Sequence, residues 1–265
     1  MLLPVPVRQW LLCVGLALVV SLFTFGGIGG LLHYWFYVRK RAQARDWKLQ
    51  PHRWLNAAQS RQAMWLGGGN VALGSIMAGT FVWHVARGGW STLYFDIHQY
   101  PLIWLPVSAV LAFFFVDAGL YYSHRLLHHR ALFRHIHRWH HRYVAPTVFT
   151  TTAVHPVELV IFASFLILPG FIVPMHAGVY GLVAVYTYFI GLIDHSGVRV
   201  RWKLPLHGDT QFHDDHHVYF HCNYGHHTSV FDRLHGTTRR SDRHYDEHTY
   251  GGHGAPRLEQ KRRSA

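Results

Sequence analysis

Residues 124–141 read HRLLHHRALFRHIHRWHH, with seven histidines in eighteen positions. Histidine is a middling helix former, whereas its neutral ring is the commonest metal ligand in proteins, so chemistry is the better reason for the choice. His124 and His128 are four apart, which on a helix puts both rings on one face. His137, His140 and His141 follow the pattern HxxHH over a single turn, and it recurs as His213, His216 and His217 in HDDHH. With 25 histidines in 265 residues, chance gives ~0.2 such patterns, and the chain has two. Eight spaced histidines are twice the set that closes around one tetrahedral ion, so two metal ions sharing the cluster is the economical reading. The Glu-x-x-His pairs with which ferritin-like proteins hold two irons are absent. Imidazole suits Zn, Cu, Fe and Ni, and ligand type leaves the element open.

The remaining histidines have plainer readings. His129 and His135 fall outside the spaced pattern; with Leu126, Leu127, Leu132, Phe133, Ile136 and Trp139 interleaved among Arg and His, they suit a helix lying on a membrane surface. His244, His248 and His253 belong to an Arg-, His- and Gly-rich tail from Thr237, expected to be a loosely ordered basic end, and His33, His84 and His98 lie near span ends.

The elements that must position the ligands are membrane helices. Half of the residues are apolar and 14% are charged, well under the usual quarter. Apolar runs at 11–32, 63–85, 102–122, 157–173 and 177–193 predict five spans, each near the ~20 residues that cross a bilayer, the last two forming a tight hairpin. The second carries Gly67, Gly68, Gly69 and Asn70, small residues of the kind found where membrane helices pack. The first run is too long for a cleaved secretory signal and is expected to be an anchor. Arg8 alone precedes it, while Arg39, Lys40, Arg41, Arg45, Lys48, Arg53 and Arg61 follow it, which places that loop in the cytoplasm. Counting crossings, residues 87–101 lie outside, and segments 124–155 and 195–227 emerge together on the cytoplasmic face. The fold class is therefore all-α membrane protein, with about four to five transmembrane helices and a cytoplasmic helical cap. Expected organisation is an anchor region over 1–100, a metal domain over 101–240 and a basic tail over 241–265. The net charge of +12 flanks the spans and suits anionic headgroups rather than nucleic acid. Cys13 and Cys222 give no disulfide framework. Asp117 is costly to bury unpaired within a span; it either hydrogen-bonds a ligand histidine or pairs with Arg125.

HRLLH, HRWHH and HDDHH, with two spans between the second and third, resemble the fatty acid hydroxylase and sterol desaturase superfamily of membrane di-iron enzymes. PTVFTTTAVHPVE at 146–158, IDHSG at 193–197 and HHVYFHCNYGHHTSVFDRLHGT at 216–237 extend the likeness over roughly 117–240, closest in pattern to sterol C-5 desaturases. The resemblance implies two iron ions, molecular oxygen, a lipid substrate from the bilayer, and electrons relayed from NAD(P)H by a separate small carrier. It also implies His155 and His195 as further ligands, with Asp194 placed to orient the ring of His195. His221, His226 and His227 depart from the family pattern. The implied activity is desaturation or hydroxylation of a lipid, a sterol first, with fatty acid or sphingolipid hydroxylation and sterol methyl oxidation as alternatives. The active site is then expected on the cytoplasmic face, of the endoplasmic reticulum in a eukaryote or the inner membrane in a bacterium. A metal transporter is the rival from another class, but transporter sites lie near the bilayer midplane, whereas these histidines cluster beyond span ends. A structural metal-binding membrane protein is the other rival; it would consume no oxygen.

Overall fold

The computed structural model describes residues 3–201 and 206–257. Helix α1 (Val5–Arg39) has a long apolar middle and contains two π-helical stretches, Phe23–Ile28 and Tyr34–Arg39. It lies along α2 (Ala57–Ala86), which opens on a capping box of Asn56 and Gln59. Gly79 lets the two approach closely, because a Cβ there would collide with the backbone of Val14. Helix α2 packs on α4 (Pro156–Ile172), α4 on α3 (Trp104–Leu127), and α3 on α5 (Ala177–Asp194). The short helix α6 (Thr210–Tyr219) carries HDDHH against the end of α5, and α7 (Val230–His235) follows.

The protein is all-α with membrane-spanning character, and three of the five expected spans are long and apolar enough by themselves to cross a membrane. Among the described residues, these are α1, α3 and α5. Helix α2 is 30 residues long but too polar to qualify. Its Asn70 is buried and donates to the carbonyls of Thr152 and Val154, so that polarity holds a loop rather than facing lipid. Helix α4 is shorter, and its first helical run ends at Ile167, ahead of Pro169.

The loops between α2 and α3 and between α4 and α5 meet. Strand β1 (Leu93–Tyr94) pairs in parallel with β2 (Met175–His176), as two turns on one face of a membrane can. Helices α3 and α5 then run ~30 Å away from that face and deliver His124 and His195 to the opposite end. Beyond Leu127 the chain forms short helical pieces, Arg130–Leu132, a π-turn Phe133–His137 and Arg138–His141. One helix lying on a membrane is therefore not what forms over 124–141. The tail is not loose either: β3 (Arg243–His244) pairs antiparallel with β4 (Ala255–Pro256), Tyr245 is buried, and Arg138 bonds Glu247 at 2.7 Å. Residues 258–265 of the expected tail lie outside the described residues.

Candidate metal centre

Nine of the ten expected ligands converge in two adjacent groups. In one, His124, His128, His137, His141 and His216 each place a ring nitrogen within 4.8 Å of the others; in the second, His140, His195, His213 and His217 do the same. All nine are buried. Each HxxHH turn is divided between the groups, although its three histidines fall within a single turn. Adjacent residues on a helix point ~100° apart, so His140 and His141 serve different groups, as do His216 and His217. The groups are neighbours, with the rings of His141 and His217 5.1 Å apart.

The donors are those a metal needs. His124 Nδ1 donates to the Tyr224 carbonyl at 2.8 Å, and His137 Nδ1 to Glu158 Oε1 at 2.8 Å. A neutral imidazole has one N–H, so the Nε2 atoms of both rings are bare lone pairs, yet they lie 3.0 Å apart. Two lone pairs cannot hydrogen-bond each other; a cation between them resolves the contact. In the second group, two rings converge on one bare nitrogen. His195 Nδ1 donates to the Gly191 carbonyl at 2.7 Å, and its bare Nε2 lies 3.1 Å from His140 Nε2 and 3.0 Å from His213 Nε2. His216 donates from Nδ1 to the Cys222 carbonyl at 2.7 Å; among the described residues its buried Nε2 has no partner, nor has either ring nitrogen of His217. These residues fit metal ions. Burial, with repulsion from neighbouring rings, pushes His128, His140, His141, His213, His216 and His217 well below the usual imidazole range, and burial lowers His195 to about 4. The rings are therefore neutral near pH 7, the state that binds metal.

Other expected site residues stand elsewhere. His155 belongs to neither group: its ring caps α4 by accepting from the Val157 N–H and packs 4.7 Å from Trp139. Asp194 is buried, but the carbonyl of Gly191, rather than that carboxylate, orients His195. Asp117 touches neither a ligand ring nor Arg125 by hydrogen bond; it accepts from the N–H groups of His227 and Thr228 and from the Thr228 hydroxyl. His135, His244 and His248 are exposed.

Glu158 was missed by reasoning on histidine spacing. It is fully buried and orients His137, a carboxylate–histidine pairing typical of metal ligands. The signal was present, since Glu158 is the sole acid between Asp117 and Asp194 and opens an apolar helix. Asp232 was also missed as a determinant. Its buried carboxylate accepts from the N–H groups of Tyr224 and Gly225 at 2.9 and 2.7 Å and from the Thr237 hydroxyl at 2.6 Å. A Cβ on Gly225 would collide with the Thr228 carbonyl, so only glycine fits there. NYG, FDR and GT are thus one scaffold, and it aims the Tyr224 carbonyl at His124.

The fatty acid hydroxylase family model matches residues 109–237, the segment that supplies all nine converging histidines. Over this segment the chain is similar to the fatty acid hydroxylase family. The chain is similar to lathosterol oxidase of Mus musculus, with 38% identity over 157 residues covering 56% of this chain and 51% of that protein. It is similar to the Delta(7)-sterol 5(6)-desaturase of Saccharomyces cerevisiae, at 33% identity over 62% of this chain and 45% of that one. A Neurospora crassa protein named "Probable Delta(7)-sterol 5(6)-desaturase" is 30% identical over 245 residues, 86% of this chain and 65% of its own length. The chain spans about half the length of the curated relatives it matches. No solved structure matches.

Proposed function

We propose that this chain is a member of the fatty acid hydroxylase family, a membrane oxidoreductase that holds two iron ions and uses molecular oxygen to introduce a double bond into a sterol. The observation that carries the reading is the pair of buried histidine groups, whose ring nitrogens crowd to within 3.0 and 3.1 Å of one another. His124, His128, His137, His141 and His216 would hold one ion and His140, His195, His213 and His217 the other. Iron with oxygen supplies an oxidant able to take hydrogen from an unactivated carbon, a task beyond amino-acid side chains. The protein fixes geometry: Tyr224, Glu158, Gly191 and Cys222 orient ligand rings, and the burial of all nine excludes water. The centre sits at the ends of α3 and α5, where a lipid reaches it sideways from the bilayer. The cytoplasm is the face assigned to it, since seven Lys and Arg follow α1's apolar run and one precedes it. A separate carrier fed by NAD(P)H docks from that side.

The sterol preference rests on the names of the relatives, and the family description favours one second reading, hydroxylation of an acyl chain. Purified chain, loaded with ferrous iron in lipid vesicles with a reductase and carrier, is incubated with a Δ7-sterol and with free fatty acids. Mass spectrometry showing loss of two hydrogens from the sterol supports desaturation. Oxygen gained by the fatty acid instead supports the second reading, and oxygen consumption absent with every lipid would refute both.

A further inference from the structure

His221 lies outside both histidine groups and has no counterpart in the spaced boxes, yet it is fully buried. Its Nε2 is 2.9 Å from the Glu247 carbonyl and its Nδ1 is 3.0 Å from His128 Nδ1. A carbonyl only accepts, so Nε2 carries the ring's hydrogen and Nδ1 is bare. His128 Nδ1 must then carry a hydrogen and donate it to His221. That leaves His128 Nε2 as a lone pair, and this atom is buried without a partner. The His128 ring stands 4.5–5.0 Å from those of His124, His137, His141 and His216.

We propose that His221 is a positioning residue that fixes the tautomer of His128 and couples this ligand to the C-terminal segment. The proposal rests on the two-metal reading of the site. The other end of the relay is secured by the tail itself. Arg138, between His137 and His140, bonds the Glu247 side chain at 2.7 Å, and the Tyr250 ring packs 4.2 Å from that of His221. The chain 243–256 is in this way a strap whose main chain reaches a metal ligand through one imidazole. Tyr224, Gly191 and Cys222 give His124, His195 and His216 a carbonyl directly; His128 receives one at one remove.

The test compares His221→Phe, which keeps a ring against Tyr250 but no nitrogen, with His221→Asn, whose side-chain oxygen can accept from His128 Nδ1. Metal-free full-length chain is titrated with Co(II) and followed by its ligand-field absorption, with circular dichroism as the check on fold. The wild type is expected to bind two ions. The Phe variant should bind one of them ~10–100-fold more weakly, the usual effect of losing a partner that orients a ligand, and Asn should restore most of the loss. A Phe variant with both ions at wild-type affinity overturns the proposal, as does an Asn variant no better than Phe. If the Phe variant loses helicity, the Asn variant decides alone: two tight ions support the relay and one overturns it. A wild type that binds fewer than two ions is a different failure; it removes the two-metal reading, and the relay falls with it.

Discussion

Replacing Glu158 puts the sharpest demand on the metal-centre geometry, because the residue lies outside both histidine groups and offers its bond to a single ring. Glu158 Oε1 accepts from His137 Nδ1 at 2.8 Å, and the two side chains are 0% and 1% exposed. In Glu158→Leu that N–H loses its only partner where water cannot reach, a loss of about 1–3 kcal/mol. The free ring is no longer pinned with Nε2 towards His124 and His141, so affinity for the first ion should fall ~10–100-fold, or about 1.4–2.7 kcal/mol. Glu158→Gln keeps an acceptor oxygen but removes its charge. Charge-assisted hydrogen bonds are about twice as strong as neutral ones, so roughly half of the free-energy loss is expected. Co(II) or Fe(II) titration of the purified, metal-free variants measures both, with the second group as internal control. Wild-type affinity in both variants, or equal loss from both groups, would refute the assignment of Glu158 to His137.

Other outcomes follow from the same geometry. His140→Ala or His216→Ala should abolish lipid oxidation and lower metal content, whereas exposed His135→Ala and His248→Ala should leave both nearly intact; metal analysis with product assays separates them. Asp232→Ala strands three buried donors and should destabilise the chain by about 3 kcal/mol or more, read as a lowered denaturation midpoint with weakened binding at His124. The metal-free chain should lose stability as pH falls below 6.5. His195, lowered to about 4, and the rings that burial depresses beside it, such as His140 and His217, stay unprotonated when folded and take up protons when unfolded. That loss runs from pH 6.5 down towards 4, and a flat thermal-melting profile across that window would contradict it.

Much of the centre was legible because metal ligation imposes spacing. HxxxH and HxxHH report a helical turn, and eight of the converging histidines lie in those three boxes; His195 came through the family resemblance. Spacing could not show that each turn feeds two pockets, since that depends on where α6 docks against α5. His155 was misplaced because a histidine before Pro156 is also a good helix cap, and the cap interaction is what forms. Glu158 and Asp232 escaped notice because a buried acceptor is recognised by its donors, which arrive from distant segments such as His137 or Tyr224. The span at 63–85 was legible from its length, but what it packs against was not. Its Asn70 satisfies loop carbonyls over 80 residues away, a partner that no local window contains. The tail's polar composition suggested disorder, yet Tyr245, Glu247 and Tyr250 each find a site on the boxes or their scaffold.

The central claim is that two metal ions sit in the paired histidine groups. Elemental analysis of the full chain purified from membranes, or reconstituted with ferrous iron, tests it most directly. The two groups predict two iron ions per chain, with His140→Ala and His141→Ala each impairing a different one. One ion or none in the wild type would contradict the two-metal centre.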